Sequence, residues 1–398
     1  MRTFNRPIRL LLVNQLTINI GFYMLMPYLA TYLTGRLGLA VWLTGLILGV
    51  RNLSQQGLFL LGGSLADRLG YKPLILAGLL LRTAGFALLG LASSVPVLLV
   101  ASALTGLAGA CFNPAARAHL AQEAGERKVE AFAAFNVFYQ SGILIGPIVG
   151  LLLQGLAFRV TCLVAAGLFA VLALAQARAL PARPGGRAGA ASGMLRDWRG
   201  VLANRAFLLF SLAMIGSYVL GFQVYLGLPI EVRRATGSEL GVTLLFALSG
   251  SMAAFGQVRL TGWIKKRWTP EQAIVRGLWL MGAAFLPLAL AGGLGSVLVT
   301  TALLTLGTMT VYPFEMATIA RLGGDELAGT YYGFYNTLSG LGIAAGNLAT
   351  GAAMDTGRPW WMLAVLGWAC GAAVLLLTRS ARWPACPKEQ AVKSSGPG

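Results

Sequence analysis

Long apolar runs decide what solvent this chain folds in. Twelve stretches, roughly 8–34, 41–66, 73–93, 96–116, 131–156, 159–180, 207–231, 238–262, 273–293, 296–320, 330–353 and 359–379, are each long enough to cross a hydrocarbon core about 30 Å thick. Lipid offers the backbone no hydrogen bonds, so each run must satisfy its own by coiling into a helix. The alternating ten-residue segments of a membrane β-barrel are missing. Only 11% of the 398 residues are charged and 57% are hydrophobic, whereas a soluble chain carries about 25% charged residues. The first run is too long, and too polar at its centre, for a cleaved signal peptide. The expected fold is all-α, a membrane protein of twelve transmembrane helices.

The net charge of +18 follows the membrane. With the N-terminus in the cytoplasm, Arg2, Arg6, Arg9, Arg68, Lys72, Arg117, Arg127 and Lys128 all fall on the cytoplasmic side, as do the Lys and Arg of the central loop and the tail. The outer loops hold Arg36, Arg159, Arg233, Arg234 and Arg358. Cytoplasmic loops carry such an excess, so both termini are expected inside. A nucleic-acid partner would need a basic soluble face, and none is expected. Cys111, Cys162, Cys370 and Cys386 show no metal spacing and no disulfide framework, so they are expected to behave as small buried hydrophobes.

The chain divides at 181–206, where Gly, Pro, Ala and Arg (PARPGGRAGAASG) read as a flexible cytoplasmic linker. The expected parts are an N-terminal six-helix bundle (1–180), the linker, a C-terminal six-helix bundle (207–379) and a polar cytoplasmic tail (380–398). The bundles look like repeats. At an offset near 200, Phe132, Phe135, Asn136, Gly142 and Gly146 match Tyr332, Tyr335, Asn336, Gly342 and Gly346. At 199, Gly57, Gly63 and Pro114 match Gly256, Gly262 and Pro313. Duplicated halves with a site at their shared midplane are a transporter design.

The turn between the second and third spans reads Gly63-Ser-Leu-Ala-Asp67-Arg68-Leu-Gly70-Tyr-Lys72. Gly63 permits close helix packing and Gly70 a tight turn with positive φ. Asp67 suits the N-terminus of a helix in the other half, where the macrodipole favours an anion. Here the chain resembles the major facilitator superfamily, whose loop carries G-x-x-x-D-R-x-G-R-[KR]; Tyr71 departs from it. The resemblance implies the major facilitator fold, two pseudo-symmetric six-helix bundles that rock about a central cavity. It also implies that Asp67 meets the start of the eleventh span near Gly329 and Thr330 and latches the cytoplasmic side shut.

In the fifth span, Gly142, Gly146, Pro147 and Gly150 form a second pattern. Glycines four apart let helices approach closely, and the proline removes an internal hydrogen bond. This resembles the antiporter motif of bacterial twelve-span drug:proton exporters.

Most carboxyl groups lie in loops or at helix ends, while Glu315 lies inside the tenth span, within Tyr312-Pro313-Phe314-Glu315-Met316. An ionisable group at membrane depth is a functional candidate by default. Glu315 is either a proton or substrate site or the partner of an arginine. Glu231, followed by Arg233 and Arg234, reads as an interface residue. Arg51 shares a helix face with Gln55 and, more loosely, Asn52. With Asn14, Gln15 and Asn19 of the first span it is expected to form a polar wall, holding a substrate carboxylate or pairing with Glu315. Arg82 is expected to be structural, near Asp67. Tyr139, Tyr335 and Asn336 are further candidates for the cavity wall. His119 is expected in a cytoplasmic loop.

There is no P-loop and no nucleophile–base or metal set, so neither ATP hydrolysis nor an enzyme is expected. The resemblance implies a proton-coupled exporter of drugs or small amphiphiles in a bacterial inner membrane. The proton gradient is its energy source; it has no cofactor and acts as a monomer among lipid. The first span lacks the acid that suits cationic drugs, which keeps a dedicated exporter of an anionic or zwitterionic metabolite, such as a siderophore, as the alternative, together with a metabolite importer.

Overall fold

The computed structural model describes residues 4–25, 29, 32–153, 158–181, 193–236, 239–324, 326–355 and 359–379. Helix α1 (Arg6–Tyr23) starts where the Asn5 side chain accepts a hydrogen bond from the Ile8 amide at 3.2 Å. Then come α2 (Val41–Leu69), α3 (Tyr71–Leu91), α4 (Val95–Ala124), α5 (Lys128–Leu152) and α6 (Phe158–Ala179). The second half follows a short helix α7 (Met194–Ala203). It comprises α8 (Arg205–Phe222) continued by α9 (Gly227–Thr236), α10 (Glu239–Lys265), α11 (Pro270–Ala283) continued by α12 (Leu286–Leu290), α13 (Leu294–Gly323), α14 (Ala328–Asp355) and α15 (Pro359–Arg379).

Within the first half α4 packs on α2 and α3, α6 on α3, and α5 on α1. Within the second, α13 packs on α10 and α11, and α15 on α8 and α11. The halves meet where α2 and α4 touch α14, and α5 touches α10 and α13. Among the described residues, seven stretches are long and apolar enough to cross a membrane, and one of them, Val95–Gly150, holds both α4 and most of α5. The crossing helices outside those stretches are α1, α2, α10 and α14. Three of these four, α2, α10 and α14, press against the opposite half.

Two glycine positions explain how closely the elements approach. A Cβ on Gly63 would lie 2.0 Å from the Gly329 carbonyl oxygen, so the α2 and α14 backbones touch across the halves. Gly142 and Gly146 face α1 instead, where a Cβ would lie 2.5 Å from Asn19 Cβ and 2.6 Å from Tyr23 Cβ. Prolines 114, 147 and 313 sit inside α4, α5 and α13, where each removes one ladder hydrogen bond.

The segment read as a flexible linker is ordered in part. Its Gly/Pro signal ends at Gly193; residues 194–203 form α7, with Asp197 and Val201 buried. Residues 182–192 and the tail 380–398 lie outside the described residues. His119 does not lie in a loop: α4 runs on to Ala124, so the imidazole is buried, edge-on to the Tyr71 ring.

Candidate functional site

At the end of the molecule carrying the α2–α3 turn, Gly70 (φ 95°) lets α2 stop and α3 start without a longer loop. The turn aims Asp67 at the first residues of α14. Its carboxylate accepts hydrogen bonds from the Gly329 amide (2.8 Å), the Thr330 amide (2.6 Å) and the Thr330 hydroxyl (2.6 Å). The Tyr71 hydroxyl donates a longer fourth bond at 3.4 Å. Asp67 is 1% exposed, so these donors replace its water. A carboxylate on free helix N-terminal amides is favourable in both hydrogen bonding and dipole.

The next residue turns outward. Arg68 pairs with Asp197 of α7, and the Trp198 indole donates to Ser64 Oγ at 2.7 Å. Asn204 donates to the Tyr331 hydroxyl at 2.8 Å. The connecting helix therefore clamps the α2–α3 turn and the start of α14 together. Lys72 makes no side-chain bond with the described residues. Removing one partner of a buried ion pair strands the other. Asp197→Ala is thus expected to speed amide hydrogen exchange across α7 by at least about tenfold. Unchanged exchange would assign the docking of α7 to Trp198 and Val201 instead.

A second contact closes the same end between α5 and α10. Glu130 pairs with Lys265, and Asn136 donates to Gln257 Oε1 at 2.8 Å. Gln257 in turn donates to the Met309 carbonyl at 2.8 Å.

Above these contacts, between the halves, lies a cavity of about 380 Å³. Tyr23, Arg117, Tyr139, Tyr218, Tyr312 and Glu315 are among its lining residues. Glu315 accepts hydrogen bonds from the Tyr335 hydroxyl and from Ser217 Oγ, the latter at 3.4 Å. Across the cavity, Arg117 donates to Asn336 Oδ1. Tyr335 and Asn336 are consecutive residues of α14, so one turn of that helix holds both charged groups in place.

Several sequence expectations change here. Arg51 does donate to Gln55 (3.3 Å) and Asn52 (2.5 Å), and its guanidinium lies over the Phe22 ring at 4.9 Å, but it does not reach Glu315. Asn14 is fully buried with neither amide atom hydrogen-bonded to the described residues, so it faces the helix packing rather than a cavity wall. Gln15 donates to Asn19 at 3.1 Å, and Asn19 donates to the Tyr139 carbonyl at 2.8 Å. These amides join α1 to α5 and leave the Tyr139 ring on the cavity. The glycines of α5 serve the same joint; Gly150 is buried further along that helix. Arg82 is not beside Asp67 but midway along α3, over the Phe169 ring at 5.9 Å. Glu231 lies 3.7 Å from Arg234, one turn on in α9.

Arg117 is the residue that sequence reasoning misplaced. It counts there as a cytoplasmic loop charge, because the apolar run ends at 116. The internal repeat held the missing signal: pairing Pro114 with Pro313 puts Arg117 within one residue of the position matching Glu315.

Comparison with known proteins gives a consistent result. The sequence model of the Major Facilitator Superfamily matches residues 11–347. An uncharacterized MFS-type transporter of Mycobacterium tuberculosis is 51% identical, over 90% of this chain and 88% of that protein. The multidrug resistance protein MdtH of Yersinia pestis is 32% identical, over 90% of each chain. Among solved structures, the Escherichia coli fucose:proton symporter FucP superposes with a TM-score of 0.76 at 15% identity, covering 95% of this chain and 99% of its own. The human organic anion transporter MFSD10 superposes at 0.73 and 18% identity, covering 94% and 98%. At those identities the two structures speak to fold alone.

Proposed function

The chain belongs to the major facilitator superfamily, and from that premise we propose that it is a proton-coupled exporter of small amphiphilic molecules, working by alternating access. The observation that carries the reading is Glu315. Among the described residues it is the carboxyl that reaches the cavity between the halves, and neutral hydroxyls are its hydrogen-bond partners. A carboxyl so placed, hydrogen-bonded to neutral hydroxyls and in no ion pair among the described residues, can carry a proton. The aromatic and apolar lining (Tyr218, Phe222, Tyr225, Met281) suits an amphiphile's body. The 32% identical relative is named a multidrug resistance protein, and the glycines of α5 match the exporter motif.

The basic end, closed by Asp67 and by the α5–α10 contacts, is the cytoplasmic one in this reading. Both termini then lie in the cytoplasm and the protein works as a monomer in a bacterial inner membrane, with the proton gradient as its energy source. Asp67 and the first residues of α14 form the latch that opens when the cavity turns inward.

The test uses purified protein in liposomes with an imposed pH gradient and a trapped pH-sensitive dye. Adding an amphiphilic substrate should release protons down their gradient faster than in protein-free liposomes. Substrate movement with no proton movement would remove proton coupling from the reading.

A further inference from the structure

Among the described residues, the interior of the first half is unbalanced in charge. Arg51 from α2, Arg82 from α3 and Arg117 from α4 all lie within the first half, away from its ends. The carboxyl groups of that half are Asp67, Glu123, Glu126 and Glu130, all near the basic end. Asp67 is occupied by α14, Glu123 by Asn5 and Glu130 by Lys265. No ion pair among the described residues involves Arg51, Arg82 or Arg117.

Their partners are neutral. Arg51 has two side-chain amides and a phenyl ring, and Arg117 has the Asn336 amide. Arg82 is only 6% exposed, makes no hydrogen bond with the described residues, and has a buried Nε without an acceptor. Arg82 is the buried one of the three, and Arg51 and Arg117 are half-buried; a buried guanidinium without an anion is costly. Two of the three are tied by rings: Phe22, beneath Arg51, packs on Phe86 at 6.4 Å, which packs on Phe169 at 5.2 Å, beneath Arg82. Tyr139 and Arg117 both stand on the cavity wall. Of the three arginines, Arg117 is the one at the surface of the cavity.

We propose that the substrate of this cavity is an organic anion, an amphiphile whose carboxylate binds the Arg117 guanidinium while its ring system packs among Tyr218, Tyr225 and Phe222. Asn336 occupies one arm of the guanidinium and fixes its plane, which leaves donors for a carboxylate fork. Arg51 and Arg82 hold the potential of the site positive and disfavour cations. The proposal rests on the cavity being the transport site, as in the reading above. It shifts the expected recognition residue from Arg51 to Arg117.

The experiment measures equilibrium binding to the full-length protein in nanodiscs, corrected against empty nanodiscs, by fluorescence polarisation. Two dyes share a xanthene ring and differ in charge: fluorescein, an anion at neutral pH, and rhodamine 6G, a cation. Fluorescein is expected to bind at least about tenfold more tightly, and Arg117→Gln to remove at least about tenfold of that affinity, the scale of a lost charge-assisted hydrogen bond. Arg117→Lys should retain part of it. Equal binding of both dyes, tighter rhodamine 6G, no fluorescein binding, or a folded Arg117→Gln protein with the anion preference intact would each overturn the proposal. The wild-type comparison stands even if a variant fails to fold. No gradient is involved, so loss of proton coupling in the liposome assay would leave this result untouched.

Discussion

Asp67→Asn is expected to leave the protein inserted in the membrane but transporting at about one hundredth of the wild-type rate. The carboxylate accepts from two α14 amides and the Thr330 hydroxyl. An asparagine supplies one acceptor oxygen and turns an NH2 group toward the remaining donors. A hydrogen bond to a charged group contributes about 1.5–3 kcal/mol, and a stranded buried donor costs a further amount of similar size. A loss of about 3 kcal/mol moves a two-state equilibrium by a factor of about one hundred. The conformation closed at the basic end is the one that loses, so the cycle stalls with that end open. Hydrogen exchange reads this directly: amides 329–333 should exchange faster in the variant, while α3 and α6 stay protected.

Gly63→Ala tests the same contact by sterics. The added methyl would sit 2.0 Å from the Gly329 oxygen, too close for any rotamer to relieve, and it leaves the carboxylate intact. It is expected to reproduce both the exchange pattern and the transport loss. Normal transport by a well-inserted Asp67→Asn protein would make the turn a passive connection and leave closure to Glu130, Lys265, Asn136 and Gln257.

The end contact was legible in the sequence because all its parts are local. Gly63, Asp67 and Gly70 lie within eight consecutive residues, and only the partner, at the start of α14, had to come from the family resemblance. The cavity was less legible. Hydropathy ends a span at its first charge, so the fourth run stopped at 116 and Arg117 fell among loop residues. The helix in fact continues to Ala124, 30 residues in all, or about 45 Å, well beyond a hydrocarbon core. Its last turns are packed by protein: Ala118, His119 and Leu120 are buried. The same blindness hid α7, which is too short and polar to be a span and docks through Asp197 and Trp198. Asn14 misled in the opposite direction. An amide in an apolar run marks an interior position, but the sequence does not say whether that interior is a cavity or a helix contact.

Glu315→Gln should abolish substrate-driven proton movement while leaving substrate exchange intact. Glutamine has the shape of a protonated glutamate but cannot titrate, so it holds the cavity in its proton-loaded form. Its amide oxygen can still accept from the Tyr335 hydroxyl and Ser217, which preserves packing around α13 and α14. In liposomes with a pH gradient, the dye signal on adding substrate is expected to fall to the protein-free level. Without a gradient, exchange of labelled for unlabelled substrate is expected to remain within about threefold of wild type, the scatter of single-contact effects rather than the loss of a binding site. Tyr335→Phe separates the proton from its hydrogen bond: it keeps the carboxyl and so should keep coupled flux. Unchanged proton movement in Glu315→Gln would move the proton site out of this cavity. Loss of exchange as well would make Glu315 a substrate ligand. With Arg117 and Glu315 both on the cavity wall, the two roles need not compete: Arg117 takes the substrate's charge, and Glu315 takes the proton.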